Sequence, residues 1–297
     1  MPITDRVRRL RQRSLDAAET LSSERAELLT EFWQQDLGPI SAPMRRALAF
    51  AHLLEHKSVF IGADELLVGE KGPGPKQAPT YPGLCCHTLA DLDILDSRPK
   101  TSFRVGDATR RSYAERIVPF WRGKSIRDLI FREMTPAWKA AYEAGIFTEF
   151  MEQRAPGHTV LDGKIYSRGM LDFIAAIDQR LATLDFLGDP SAYSQQEELR
   201  AMRCSAQALI RFATRHAEAA RQQAQAEPDP ARRAELELIA AVCSHVPARA
   251  PRDFHEALQY YWFVHLGVTI ELNTWDSFCP GHLDRHLAPF YRRGLAD

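Results

Sequence analysis

The sequence has few cysteines, a single asparagine and almost no net charge, and each shortage excludes a class of protein. Its 297 residues include five cysteines and no Cys-x-x-Cys pair, which argues against a disulfide framework and against a structural zinc site. Asn273 is the only asparagine, and Trp275 stands where a glycosylation sequon needs Ser or Thr. A reducing cytoplasm is therefore the expected location.

Charge and long apolar runs are also lacking. The 38 Lys and Arg nearly balance the 39 Asp and Glu, so binding of nucleic acid through bulk phosphate attraction is not expected. No stretch approaches the ~18 consecutive apolar residues of a membrane span, and the Arg-rich start has no apolar core like that of a secretory signal. The hydrophobic share of 45% predicts a folded core instead.

Helical periodicity dominates the chain. Apolar residues from Val7 to Leu21 share one face of a first predicted helix with Thr4 as its cap, and Ser41 opens a second. Apolar stripes predict two more helices over about 199–213 and 230–246, joined by a proline-containing break. These two should form an antiparallel hairpin.

Residues 58–83 lack this periodicity. The apolar run 58–69 predicts two short strands separated by a turn. Four prolines and three glycines predict a loop over 71–83. A phosphate cradle is disfavoured there, because Pro73 and Pro75 have no N–H to donate.

A different pattern covers Phe254 to Leu266, which is apolar nearly all round. Such a helix is expected inside a large core rather than on the surface of a small domain.

Two residues stand out for chemistry. His158 follows a Pro-Gly turn, and a loop imidazole can act as acid or base, although a histidine that ties its loop to the backbone is the commoner case. Asp276 follows the apolar helix beside Trp275. It is either a buried carboxylate that needs a ligand cation or the cap of a local turn, and the residues alone favour neither.

Two other pairs are less promising. His282 and His286 have the i, i+4 spacing of zinc ligands, but no third ligand is evident, so surface or core histidines are expected. Cys85 and Cys86 are adjacent and therefore point apart, and we expect both to be buried structural thiols. No metal is predicted.

Four separated segments together resemble the N-terminal part of glycyl radical enzymes, the pyruvate formate-lyase superfamily. They follow the family's order over nearly the whole chain and comprise residues 63–71, 154–171, 251–263 and 280–291. The resemblance implies a mainly helical α/β fold, the N-terminal portion of a ten-stranded barrel that is incomplete in this chain. Residues 1–297 would all belong to one pyruvate formate-lyase-like domain.

The run from Asn273 to Asp276 looks like the trans-4-hydroxy-L-proline dehydratase branch of that family, as does the segment 86–96. In that branch the aspartate matching Asp276 is expected to contact the ring ammonium of the substrate. The histidine matching His158 would meet the leaving hydroxyl, and the aromatic residue matching Phe150 would line the pocket. The implied reaction removes water from a hydroxyproline to give a pyrroline carboxylate.

The resemblance also implies a glycyl radical, made by a separate radical S-adenosylmethionine activating enzyme and passed to a cysteine, and a homodimer when the enzyme is complete. The family's Cys-x-Glu and Arg-Val-x-Gly-Tyr motifs are absent from this chain. We therefore expect a truncated product, a proteolytic remnant or one half of a split gene, with a complementary C-terminal half as its partner. The isolated chain is predicted to be inactive.

Two departures from the family pattern bear on the substrate: Gly281-His-Leu-Asp-Arg285, where relatives usually have Gly-Arg-x-Asp-Gln, and Cys279 in place of a polar residue. One alternative function is therefore another lyase or decarboxylase of the same superfamily. A second alternative is a non-catalytic fragment that serves as an interaction module.

Overall fold

The computed structural model describes residues 3–147, 161–272 and 281–296, and this part of the chain is mainly helical. Up to residue 147 the elements are α1 (Asp5–Asp16), β1 (Thr20–Ser22), α2 (Glu24–Gln34), α3 (Ala42–His56), β2 (Gln77–Pro79), α4 (Leu89–Ser97), α5 (Asp107–Ser112), a π-helical segment (Tyr113–Ile117), α6 (Val118–Trp121), α7 (Ile126–Glu133) and α8 (Pro136–Glu143). Beyond residue 160 they are a 3₁₀ helix (Asp162–Tyr166), α9 (Met170–Ala182), α10 (Ala192–Ala226), α11 (Pro230–His245), α12 (Phe254–Glu271) and α13 (Leu283–Ala296).

These elements form two compact units. In its described part, the first unit comprises residues 3–34 and 71–147 together with Leu272, and the second comprises residues 35–70, 161–271 and 281–296. No helix within the described ranges combines the length and the hydropathy that a membrane crossing needs.

The first unit contains a parallel strand pair where the sequence predicted a helix and a loop. Strand β1 pairs with β2 from Thr20 opposite Gln77 to Ser22 opposite Pro79. The helix predicted as far as Leu21 instead ends at Asp16, because the amide of Leu21 donates to the carbonyl of Arg104 at 2.9 Å. Pairing with distant backbone therefore outweighs the helical spacing of the side chains.

In the second unit, the two strands predicted over 58–69 do not form. Side chains satisfy this backbone instead: the Lys57 ammonium donates to the carbonyls of Ser58 at 3.0 Å and Glu70 at 2.9 Å. The Gln259 amide bonds both the N–H and the C=O of Val68 at 2.9 Å. Since buried backbone groups are paired almost without exception, these bonds replace a strand ladder.

The end of this segment must be glycine. Gly69 has a φ of +117°, and a Cβ at this position would lie 2.6 Å from Cδ1 of Leu266 on α12. The segment thus lies directly against the helix, closer than any side chain at residue 69 would permit.

The predicted helices of the second unit are confirmed. Ser41 caps α3, and α10 and α11 are joined by residues 227–229 and pack together as the expected hairpin. Helix α12 has no exposed residue, and Tyr260, Phe263 and Leu266 are fully buried. The all-round apolar pattern therefore identified a core helix, whose observed end lies at Glu271, beyond the predicted Leu266.

Candidate functional site

Phe150, His158 and Asp276, the three residues predicted to form a pocket, all lie outside the described residues. The structure does describe the chain that follows each segment: the 3₁₀ helix after residue 160, and α13 after residue 280. It also describes α12, which ends shortly before residue 273. The geometry of the candidate site is therefore that of these flanking elements.

The 3₁₀ helix and α13 meet through three side chains, which we call the exit anchor: Asp162, Tyr166 and His286. Nε2 of His286 donates to Oδ1 of Asp162 at 3.2 Å, since an ionised carboxylate can only accept. The imidazole stacks on the Tyr166 ring with centroids 5.3 Å apart and planes 20° from parallel. The anchor thus joins the start of the chain after residue 160 to the helix that follows residue 280.

Close packing holds the exit anchor in place. A Cβ at Gly163 would lie 3.0 Å from Cε1 of His286, so the backbone of the 3₁₀ helix touches the ring. Phe290, one turn further along α13, packs against Tyr166 at 6.1 Å and belongs to a buried apolar cluster with Leu287. Burial, followed by the charges of Tyr261 and Asp162, raises the pKa of Tyr166 to about 12, so this phenol stays neutral at physiological pH.

An ion pair fixes the end of α12. Glu271 receives two hydrogen bonds from Arg46 of α3, at 2.5 Å from Nε and 2.8 Å from Nη2. The hydrogen bond to Glu271 raises the pKa of the Arg46 guanidinium. A carboxylate at a helix C-terminus is unfavourable by itself, and the arginine offsets both that charge and the helix dipole. The partners are 225 positions apart, and the sequence gave no signal for this pair.

The described cysteine thiols are partly or fully buried. Cys85 and Cys86 are half-buried rather than fully buried as predicted, because they lie in the connection that leads into α4. Burial raises the pKa of Cys86 to about 12, and the Cys85 charge adds to the shift. Burial also raises the pKa of Cys243 to about 12 and raises that of Cys204. All three thiols are therefore protonated and unreactive near neutral pH.

One buried histidine serves the core. Burial lowers the pKa of His216 to about 3, so the ring is neutral, and its Nδ1 is hydrogen-bonded to the carbonyl of Phe212 at 2.9 Å. Its neighbours are aromatic rings, including Phe263 of α12 at 5.3 Å. A fully enclosed imidazole of this kind packs the interior and has no access to a substrate.

Among the described residues, no third ligand accompanies the histidine pair His282 and His286. His286 contacts Asp162 and Tyr166, whereas the His282 side chain is exposed. Across the described ranges, no three His, Cys, Asp or Glu side chains are grouped as metal ligands would be. The sequence predicted a surface or core histidine at position 286 and gave no sign of its contact with Asp162. The spacing of His286 and Phe290, one helical turn apart, was the available signal for the aromatic packing.

A surface groove beside α7 and α8 is apolar and lacks convergent polar groups. It is lined by Leu129, Ile130, Glu133, Met134, Thr135 and Trp138. A catalytic pocket needs several polar side chains directed at one point, and this groove does not supply them.

Comparison with known proteins gives one consistent answer. A family model described as pyruvate formate lyase-like matches residues 3–297. The trans-4-hydroxy-L-proline dehydratase of Clostridioides difficile is 49% identical over 291 residues, which are 98% of this chain and 37% of that enzyme. The isethionate sulfite-lyase of Oleidesulfovibrio alaskensis is 31% identical over 285 residues, 92% of this chain and 34% of that protein.

Solved structures agree. The crystal structure of the C. difficile hydroxyproline dehydratase with trans-4-hydroxy-L-proline bound matches with a TM-score of 0.94 and 48% identity, covering 99% of this chain and 37% of that one. The chain therefore spans little more than a third of the length of these relatives. The likeness confirms the predicted mainly helical fold and agrees with a partial barrel.

Proposed function

Because the chain belongs to the pyruvate formate lyase-like family, we propose that it forms the N-terminal part of a glycyl radical dehydratase. Its substrate is trans-4-hydroxy-L-proline or a similar cyclic hydroxy-amine, and its product is a pyrroline carboxylate. The observation that carries this function is the 49% identity to the C. difficile dehydratase over nearly the whole chain. All of residues 1–297 would then belong to the pyruvate formate-lyase-like domain.

Asp276 supplies the charge that selects an amine. A carboxylate beside Trp275 in the sequence is costly to bury unless a cation pairs with it. The ring ammonium of hydroxyproline is such a cation. Substrate binding would therefore satisfy the carboxylate, and a neutral substrate would leave it unpaired.

His158 and Phe150 complete the proposed pocket. The imidazole of His158 assists departure of the hydroxyl by hydrogen bonding to, or protonating, the leaving oxygen. The ring of Phe150 lines the apolar side of the pocket and excludes water. The exit anchor and the Arg46–Glu271 pair support this assignment, because they hold the 3₁₀ helix that follows residue 160, helix α13 and the end of α12.

The residues of this chain do not fit the radical chemistry itself. None of its five cysteines is followed two residues later by glutamate, and burial raises the pKa of Cys86, Cys204 and Cys243. We therefore assign substrate binding to this chain and the radical cysteine and glycine to the remaining part of the enzyme. A radical S-adenosylmethionine activating enzyme and a homodimer belong to the same proposal.

The decisive test uses the complete enzyme that this function requires, activated under anaerobic conditions and supplied with trans-4-hydroxy-L-proline. We expect pyrroline carboxylate to form, and Asp276→Asn to lower kcat/KM at least roughly 30-fold, because removing one partner of a buried charge pair typically costs about 2–5 kcal/mol. Glu237→Gln, which changes an exposed carboxylate on α11, is the control and should leave the kinetics unchanged. Unaltered kinetics of the Asp276 variant would remove its proposed role.

A second candidate is another lyase of the same family. This candidate is supported by the similarity to isethionate sulfite-lyase and by the departures from the family pattern at Cys279 and Arg285. Isethionate is anionic and would be repelled by the carboxylate of Asp276. Turnover of isethionate but not of hydroxyproline by the same preparation would establish this alternative.

A non-catalytic interaction module is a third possibility for the isolated chain. It is favoured by exposed apolar side chains such as Leu187 and Ile146. Size-exclusion chromatography distinguishes this case: association with itself or with a complementary half supports it, and a well-behaved monomer counts against it.

A further inference from the structure

His286 has more contacts than a surface histidine needs. Its Nε2 donates to Asp162, its ring stacks on Tyr166, and its edge touches the backbone at Gly163. Only 21% of its side chain remains exposed. Three residues of the 3₁₀ helix thus contact the His286 ring.

The backbone that His286 contacts has an unusual conformation. Leu161 and Asp162 are consecutive residues with left-handed φ values of 62° and 45°. Residues with a side chain adopt this region at a cost in free energy, and two in succession persist when surrounding contacts hold them. The hydrogen bond from His286 to the Asp162 carboxylate is such a contact.

The exit anchor is close in sequence to both His158 and Asp276. Asp162 follows His158 by four residues, and four residues span at most about 14 Å. The position of Asp162 therefore limits where His158 can lie. His286 in turn follows Asp276 by ten residues on the other side of the same contact.

We propose that His286 is a positioning residue: through Asp162 and Tyr166 it sets the point from which the chain carrying His158 enters the 3₁₀ helix. This role rests on the proposed dehydratase function. It does not require His286 to touch substrate. Its loss should therefore affect the step that His158 assists, the departure of the hydroxyl, more than binding of the amine.

The test separates the hydrogen bond from the packing. His286→Phe keeps an aromatic ring on Tyr166 but removes the N–H that Asp162 accepts, and His286→Gln keeps a side-chain N–H donor. In the complete, activated enzyme we expect His286→Phe to lower kcat roughly 10- to 100-fold with little change in KM, as for other small misplacements of a catalytic group. His286→Gln should recover part of that loss. Arg292→Ala, at an exposed position later on α13, should have no effect.

A second measurement needs no catalysis. In the 297-residue chain, the amides of Lys164, Ser167 and Arg168 bond to carbonyls within the 3₁₀ helix and its end, so their hydrogen exchange reports on this turn. We expect exchange in His286→Phe to be at least about 5-fold faster than in the unmodified chain.

The outcomes are distinguishable. Wild-type turnover of hydroxyproline with unchanged kcat in His286→Phe overturns the positioning role and leaves the proposed function intact. Unchanged exchange in the same variant also overturns it. If the wild-type enzyme does not act on hydroxyproline, the proposed function fails, and the role of His286 in it fails as well.

Discussion

Helices α1 and α12 have opposite relations to their surroundings. Helix α1 has no buried residue, and Val7 and Leu15 on it are 48% and 64% exposed. Helix α12 has no exposed residue at all. The sequence predicted a helix at both places, yet α1 stops short of its predicted end and α12 continues beyond it.

The difference shows what determines the length of a helix. In α12 each added turn buries more apolar surface, so the helix continues as long as there is core to contact. In α1 no such gain exists, and the next residues form β1 with β2 instead. Periodicity therefore predicts where a helix forms, and packing decides where it ends.

The largest effect should come from removing a ring of α12. Phe263 is fully buried and packs against Phe212 and His216 of α10. We expect Phe263→Ala to lower the free energy of unfolding by about 3–5 kcal/mol, measured by urea denaturation, because it loses apolar burial and leaves a cavity. Leu15→Ala on α1 is the control and should change this value by less than ~0.5 kcal/mol. A loss below about 1 kcal/mol in the Phe263 variant would contradict the core role of α12.

A smaller effect should follow from pH. His216 packs against α12, and burial, the largest cause, lowers its pKa from 6.5 to about 3. Between pH 6.5 and about 3, His216 is therefore protonated in the unfolded chain but neutral in the folded chain. The free energy of unfolding should fall as the pH decreases below 6.5. Lowering the pH from 7 to 5 should cost about 2 kcal/mol through this group.

Variants isolate this contribution. His216→Gln should flatten the dependence of the unfolding free energy on pH between 7 and 5, whereas His282→Gln, at an exposed site, should preserve it. An equal slope in both variants would mean that His216 does not become protonated on unfolding in this range.

The smallest effect should come from the cap of α1. Thr4 accepts a bond from the amide of Val7 at 3.4 Å, and Ser41 accepts one from Met44 at the same distance at the start of α3. Loss of such a cap typically costs about 1 kcal/mol of helix stability. Since α1 buries nothing, Thr4→Ala should speed amide exchange of residues 5–8 by up to about 5-fold while global unfolding changes by less than ~0.5 kcal/mol.

Ser41→Ala is the matched comparison, because α3 packs against α10 and its cap is coupled to the core. There the free energy of unfolding should fall by about 1 kcal/mol. Equal global effects of the two substitutions would contradict the distinction between the exposed and the packed helix.

Much of the second unit could be predicted from the sequence. The apolar stripes of α10 and α11, the proline-containing break between them and the Ser41 cap are local signals, and all correspond to observed elements. The strands could not be predicted in this way. Gln77 to Pro79 pair with residues more than fifty positions earlier, and a proline- and glycine-rich run carries no local sign of that partner.

In the candidate site, too, local sequence signals were predictable and long-range contacts were not. The resemblance to glycyl radical enzymes rests on short runs of residues and needs no three-dimensional information, so the family was predicted correctly. The contacts of Asp162 with His286 and of Arg46 with Glu271 join residues 124 and 225 positions apart. Neither partner carries a local motif, so only the folded chain brings these pairs together. The roles of Phe150, His158 and Asp276 stay predictions.

Residues 58–70 show that a segment can be well ordered without forming a helix or a strand, because side chains bind its backbone. Val68 is fully enclosed, and its amide proton is held by the Gln259 carboxamide, although the residue belongs to neither a helix nor a strand. Slow deuterium uptake is usually anticipated only within helices and sheets. A protection map drawn that way would omit Val68, which is shielded from solvent as fully as the interior of α12.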